Sequence, residues 1–194
     1  MTTNDVRKLI GNNQLQQALT ACDQLDLSDD LKSKCLSLKA AYREYNNHRI
    51  DGDMRSDDLE ISRAGLTKRM LLFLSEYEIL CITDLKNDFV ALTYNIEQNA
   101  PPENKEATDA VVAEAKQITD DMQVVDTAEK KEDIKPGIIQ RMGDFIAKFQ
   151  DKDSTQSKVL SSIKNGVSVV QDLGKKYNSI AQWFLLPQIP TVLL

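Results

Sequence analysis

The chain has 194 residues and a formal net charge of −6, with only seven glycines and five prolines. A chain of this length can bury a core of its own, as one domain or as two small ones. The acidic balance argues against broad binding to nucleic acid or anionic membranes, because both require an excess of Lys and Arg. No apolar run approaches the roughly 20 residues that span a bilayer, and the N-terminus lacks the build of a secretory signal.

Helix-forming residues dominate the whole chain, and no segment alternates like a strand. In the first part, apolar positions three and four apart predict a short helix ended by a left-handed Gly11, and a second helix capped by Asn12 or Asn13. Ser28 is expected to cap a third helix that ends near Ile50. The predicted fold class is all-α, with an N-terminal helical bundle, a second helical subdomain and an extended apolar C-terminal tail.

A fourth helix is predicted after the polar turn Asp51-Gly52-Asp53, with Ser56 as its cap. Gly65 inside this helix favours close packing against a neighbouring helix, because glycine costs a helix interior about 1 kcal/mol. A pause near Ile82-Thr83 is expected to precede a fifth helix. Pro101-Pro102 then breaks the chain and is the predicted hinge between the two halves.

Three further helices are predicted in the second half, over about residues 105–125, from Pro136 to about residue 149, and over residues 154–180. The charged stretch 129–133 indicates a solvated connection. The tail, WFLLPQIPTVLL, is strongly apolar. We expect it to fold back onto the core, because an exposed apolar patch of that size is a liability.

Candidate catalytic side chains are few. His48 is the only histidine and lies among polar residues, which indicates a solvated surface position rather than half of a catalytic pair. Cys22, Cys35 and Cys81 have no metal-ligand spacing, and their pattern is typical of reduced cysteines in a cytoplasmic protein. We therefore expect no enzymatic activity, no metal and no cofactor, and an enzyme with an unrecognised site is the alternative.

Several landmarks of the first part occur in a fixed order. They are Leu15-x-x-Ala18-Leu19, then Tyr42-Arg43-x-Tyr45-Asn46, Arg49 and Gly52, then an acidic helix start at Asp57-Asp58 and the run Lys68-Arg69-Met70-Leu71-Leu72. In this order, over about residues 1–78, they resemble the effector-associated domains of bacterial conflict systems. That resemblance implies a death-domain-like helical adaptor, of a kind found beside proteases, caspase-like enzymes and nucleotide-dependent sensors.

The resemblance also implies homotypic recognition, with residues 1–82 as the adaptor domain and residues 83–194 as a helical domain of unknown role. Charge complementarity between helical faces would provide the specificity of such a contact. For each charged residue, a solvated helix face is the alternative interpretation. The residues predicted to contact a partner are Arg43, Arg49, Asp57, Asp58, Arg63, Lys68, Arg69 and Trp183.

The predicted function is that of a non-enzymatic, cytoplasmic adaptor or regulator in a bacterial antiphage defence or programmed cell-death system. Its partner would carry a similar helical domain, for example as part of a protease or a nucleotide-dependent sensor. Nucleic acid and constitutive membrane binding are not expected, and homo-oligomerisation is left open. The alternative is an inhibited effector whose C-terminal half is released by proteolysis near residues 129–133 and acts on a membrane or another cellular target.

Overall fold

The structure, a computed structural model, describes residues 1–190 except 152, 162, 164 and 165. Helices make up most of this part of the chain, and it contains no strand, so the predicted all-α class is confirmed. None of the described helices has both the length and the hydropathy that crossing a lipid bilayer requires.

Eight α-helices follow one another along the described residues. They are α1 (Thr3–Gly11), α2 (Leu15–Cys22), α3 (Asp29–Asp51), α4 (Ser56–Asn99), α5 (Lys105–Asp121), α6 (Pro136–Lys148), α7 (Thr155–Ser161) and α8 (Gly166–Ala181). Short 3-10 turns lie between or after them, at Pro102–Asn104, Met122–Thr127, Lys131–Asp133 and Gln182–Phe184.

Two compact units divide the chain, Met1–Glu78 and Ile79–Leu194, and the division lies inside α4. The predicted pause near Ile82-Thr83 is wrong, because α4 continues through it. The Thr83 hydroxyl donates to the Ile79 carbonyl at 2.9 Å, a bond that a helix interior accommodates, so this threonine is not a cap. Helix α4 ends just before the prolines, and Pro101 therefore lies within the second unit.

Local capping explains the helix ends of the first unit. Ser28 accepts a hydrogen bond from the Leu31 amide at 3.4 Å and caps α3, as the sequence predicts. Helix α3 ends at Asp51, just beyond the predicted end near Ile50, and Gly52 follows it in the left-handed conformation with φ 67°. The predictions for the α1–α2 connection are wrong. Asn13, not Gly11, takes the left-handed conformation with φ 62°, which asparagine tolerates, and Gln14 occupies the N-cap of α2.

The core of the first unit is built from the inward faces of its helices. Each fully buried aliphatic side chain contributes roughly 1.5–3 kcal/mol relative to an exposed one. Helix α4 presents Leu66, Met70 and Leu74 to this core, as their spacing predicts. The other large contributors are Val6, Ile10, Leu15, Leu19, Leu31 and Leu38.

Gly65 does not pack closely against another helix. A Cβ atom added there would meet no atom within 4 Å, and the residue is exposed on α4. The prediction of close packing inside the chain is therefore wrong, since no described element approaches this position.

The second unit packs α6 against α8 at one close contact. A Cβ atom on Gly143 would lie 2.1 Å from Cζ of Tyr177, so only glycine leaves room for the buried tyrosine ring. Phe145 lies between Phe89 and Phe149, with 5.3 Å between ring centroids in each pair. Edge-to-face pairs of this kind stabilise a core beyond the area they bury.

Residues 154–180 form two helices, α7 and α8, rather than the single helix predicted. Gly166 begins α8 and packs on Leu160, since a Cβ atom there would lie 2.7 Å from Leu160 Cδ1. The Val167 side chain is exposed on α8. Residues 191–194 of the apolar tail lie outside the described residues.

The charged stretch 129–133 is a solvated connection, as predicted, since Glu129, Lys130, Glu132 and Asp133 are exposed, and it includes a short 3-10 turn. Asp133 accepts hydrogen bonds from the backbone amides of Glu129 and Lys130, each at 3.1 Å. Lys131 and the following Ile134 are buried.

Candidate protein-interaction site

A groove of about 610 Å³ lies in the first unit, between α4 and the turn that joins α1 to α2. The turn is closed by two backbone hydrogen bonds, from Asn13 to the Ile10 carbonyl at 3.0 Å and from Gln14 to the Leu9 carbonyl at 2.9 Å. Because Asn13 adopts a left-handed conformation, the chain reverses here and the turn forms one wall of the groove.

One face of α4 forms the opposite wall. Ala64, Lys68, Leu71 and Ser75 line the groove and follow one another at spacings of four, three and four, which places them on the same side of a helix. Leu72 also lines the groove, and 59% of its surface is exposed. The groove therefore presents apolar side chains to solvent beside charged ones, as a protein-binding surface does.

The charged residues of the groove are Arg63 and Lys68. Among the described residues neither forms an ion pair, whereas Lys34 pairs with Asp30 at 2.8 Å and Arg55 pairs with Asp58 at 2.9 Å. Two cations without counter-ions beside an exposed leucine favour an acidic, partly apolar occupant.

A buried ion pair holds α1 against α4 behind the groove. Arg7 Nη2 lies 2.7 Å from Oε2 of Glu78, whose side chain is fully buried. The Thr3 hydroxyl donates to Glu78 Oε1 at 2.5 Å, and Arg7 Nη2 also donates to Ser75 Oγ at 3.2 Å. These bonds satisfy the buried carboxylate and fix the helix that carries one wall of the groove.

The predicted basic residues divide into two groups. Arg63 and Lys68 lie in the α4 groove, and Arg69 is exposed on the same helix outside it. Arg43 lines a separate and more polar groove of about 320 Å³ between α2 and α3. Arg49, also on α3, donates to Asn46 Oδ1 at 3.0 Å. A partner that occupies the α4 groove need not contact the α3 group.

The two predicted acidic residues lie in the first turn of α4, where negative charge suits the helix start. Asp57 is exposed and forms no ion pair among the described residues, whereas Asp58 is held by Arg55. Asp57 is therefore the one of the two that can contact a partner without breaking an internal bond.

Trp183 lies in the second unit, in the 3-10 turn after α8, and only 8% of its surface is exposed. In this conformation the indole is not available to a partner, and a partner contact at Trp183 stays a prediction that requires the tail to open. Leu185 in the same segment is 89% exposed and has φ 56°.

The histidine and two of the cysteines make contacts within the chain or are buried in it. His48 Nδ1 lies 2.9 Å from Asp53 Oδ1, across the turn that ends α3. Burial raises the pKa of the Cys22 thiol to about 12 and also raises the pKa of Cys35, which keeps both thiols protonated. Within the described residues, no group of three or more His, Cys, Asp or Glu side chains is arranged to hold a metal ion.

The apolar part of the groove was missed by sequence reasoning. Leu72 belongs to no predicted inward stripe, and the only signal for its role is that Ile61 and Leu72 are both exposed and three helical turns apart on α4. The wall formed by Ile10 and Gly11 depends on contacts between helices that no local pattern reveals.

Comparison with known families agrees with this division of the chain. Residues 1–78 match the model of a family described as Effector-associated domain 11. The match ends at the residue that closes the first compact unit. The predicted resemblance of the N-terminal part to effector-associated domains is thus confirmed, and it covers the unit that carries the α4 groove.

Comparison with curated proteins gave no match, and comparison with solved structures gave none.

Proposed function

We propose that this protein is a non-enzymatic adaptor of a bacterial antiphage defence or programmed cell-death system. Its first unit binds a protein partner that carries a similar helical domain and that includes an effector such as a protease or a nucleotide-dependent sensor. The observation that carries the proposal is the α4 groove, in which Arg63 and Lys68 have no ion-pair partner and Leu72 is exposed. The similarity of the same residues to an effector-associated domain supports it.

Acidic and apolar groups on the partner would occupy this groove. A carboxylate placed between Arg63 and Lys68 gains two cations at once, and apolar side chains cover Leu71 and Leu72. The association rate would fall as salt is added, since exposed charges are screened over about 8 Å at physiological ionic strength. Binding without chemistry also agrees with the protonated, buried Cys22 and Cys35.

The proposal places the protein in the cytoplasm. Its three cysteines are free, and a reducing compartment keeps thiols in that state.

A binding measurement with purified proteins tests this function. The partner is a protein encoded beside this chain's gene whose sequence carries an effector-associated domain, and the full chain is titrated against it by calorimetry. We expect Arg63→Glu/Lys68→Glu to weaken the complex by at least about tenfold, or about 1.4 kcal/mol, since like charges then face each other.

Two charge reversals serve as controls. Arg43→Glu changes a basic residue of the same unit outside the α4 groove, and Lys105→Glu changes an exposed residue at the start of α5. Both are expected to bind as the unchanged protein does. Equal weakening by Arg43→Glu would move the site to α3, and full binding by the Arg63→Glu/Lys68→Glu variant would refute the groove as the recognition site.

A further inference from the structure

The exposed face of α4 in the first unit is self-complementary. It carries acidic Asp57 and Glu60 toward its start, and basic Lys68 and Arg69 three helical turns later. None of these four forms an ion pair among the described residues. The other exposed positions between Glu60 and Leu72 on this face are Ile61, Ala64, Gly65 and Leu72 itself.

From this arrangement we propose that the protein forms a two-fold symmetric homodimer in which the α4 helices of two copies pack antiparallel along this face. The dimer rests on the proposed function in that it uses the same groove. A second copy of the chain occupies the groove in the absence of another partner. The symmetry operator is a two-fold axis that passes beside Ala64 and Gly65.

Antiparallel packing around that axis pairs the charges twice. With Ala64 of one copy level with Gly65 of the other, Glu60 comes one position from Lys68 along the interface, whereas Arg69 lies at the other edge of the face because nine residues make about two and a half helical turns. By symmetry the same contact forms at the other end of the interface. A parallel arrangement would instead set Glu60 against Glu60 and Lys68 against Lys68, which is repulsive.

The apolar residues of the face fit the same register. Ile61, with 71% of its surface exposed, comes opposite Lys68 and beside Leu72 of the second copy. There it enters the groove between α4 and the α1–α2 turn, where Leu71 and Ala64 line the wall. In the dimer each copy covers Ile61 and Leu72 of the other. These are the two large apolar side chains of α4 that are exposed to solvent in the first unit.

The proposed dimer contact explains why a glycine occupies position 65. Glycine is among the least favourable residues in a helix interior, and within the chain nothing lies within 4 Å of the position where its Cβ would be. At the two-fold axis the missing side chain lets two helix backbones approach closely, and the exposed Ala64 beside it is also small.

Sedimentation of the full chain at micromolar concentration measures the dimer directly. We expect a mass twice the 21.8 kDa of one chain. Lys68→Glu and Glu60→Lys, each alone, are expected to weaken dimerisation at least tenfold or so, because they place like charges together. The double variant Glu60→Lys/Lys68→Glu restores the opposite pairing and is expected to dimerise again.

Disulfide trapping tests the antiparallel register. In a chain that also carries Cys81→Ala, Ala64→Cys lies close to its own copy across the axis, and mild oxidation is expected to give a covalent dimer. Leu72→Cys is the matched control on the same face. It lies about 22 Å along the helix from its own copy and is expected to stay uncrosslinked.

Three results would overturn the dimer: a monomeric unchanged protein, charge reversals without effect on a dimer, or crosslinking by Leu72→Cys with none by Ala64→Cys. The outcomes distinguish a failure of the dimer proposal from a failure of the proposed function. A monomer that binds its partner through Arg63 and Lys68 defeats the dimer alone. A dimer with this register that binds no protein with an effector-associated domain defeats the proposed function alone.

Discussion

The side-chain amide of Asn178 pairs with the backbone of Ile189 in both directions. Its Nδ2 donates to the Ile189 carbonyl at 2.7 Å, and its Oδ1 accepts from the Ile189 amide at 2.8 Å. The neighbouring Tyr177 hydroxyl donates to the Pro187 carbonyl at 3.2 Å, and Gln150 donates to the Pro190 carbonyl. Helix α8 therefore fixes the segment 186–190 through hydrogen bonds from its side chains to the backbone of that segment. These bonds take the place of the backbone-to-backbone bonds that a strand makes in a β-sheet.

This pairing predicts that Asn178→Ala releases the tail. The variant leaves the Ile189 amide and carbonyl unpaired in a part-buried position, at a local cost of about 1–3 kcal/mol. Trp183, the only tryptophan, is buried next to the tail and reports its release as a red shift of fluorescence. Ser179→Ala, an exposed change on the same helix, is the control. An emission maximum unchanged in Asn178→Ala would contradict the prediction.

The close contact between α6 and α8 predicts a large difference between two glycines of one helix. Gly143→Ala forces the buried Tyr177 ring to move and is expected to destabilise the fold by at least about 1–3 kcal/mol. Gly137→Ala meets no atom within 4 Å and should be neutral or stabilising by up to about 1 kcal/mol. Urea unfolding measures both. Equal effects at the two positions would show that the helices do not approach closely at Gly143.

The buried pair of Arg7 and Glu78 predicts that Arg7→Ala is among the most damaging changes in the first unit. Removal of the guanidinium leaves a fully buried carboxylate without its cation, which costs about 3–5 kcal/mol. Lys8→Ala removes an exposed lysine from the same helix and should change the unfolding free energy by less than about 0.5 kcal/mol. Thermal unfolding of the full chain compares them, and a small effect of Arg7→Ala would mean that α1 is held by other contacts.

Alkaline pH is expected to destabilise the fold through Cys22. Burial raises the pKa of its thiol from the ordinary 9.0 to about 12, so the folded protein keeps the proton that the unfolded chain releases above pH 9. Stability is therefore fully present below about pH 9 and falls above it, by at most about 1.4 kcal/mol per pH unit for this thiol. Burial also raises the pKa of Tyr177 above 10.0, which extends the decline in the same direction.

Denaturant unfolding at several pH values between about 8 and 11 tests this sign. Cys22→Ala is expected to be less stable near pH 8 but to lose less stability as the pH rises. Cys81→Ala provides the comparison, because its thiol is only half-buried. A pH dependence that Cys22→Ala leaves unchanged would contradict the assignment.

Local chemistry made much of the helix content predictable. Ser28 begins α3 and Gly52 ends it, and both signals are contained within a few neighbouring residues. Thr83 shows the limit of such signals. A threonine can cap a helix or bond back to its own helix, and only the packing on either side decides which occurs.

The candidate site was predictable only in part. The sequence shows that Arg63 and Lys68 are basic and lie on a helix, but not that the α1–α2 turn faces them. The pairing of Asn178 with Ile189 depends on a contact between residues eleven positions apart, one in a helix and one in the segment after it. Long-range packing decides both features.

Hydrogen–deuterium exchange of the full chain, with and without a purified partner that carries an effector-associated domain, shows whether the first unit binds that partner through the α4 groove. We expect slower exchange in the α1–α2 turn, residues 10–14, and in the adjoining part of α4, residues 60–75. The tail held by Asn178 should exchange at the same rate in both samples. Protection confined to residues 79–190, with the α4 groove unchanged, would contradict an adaptor that binds through its first unit.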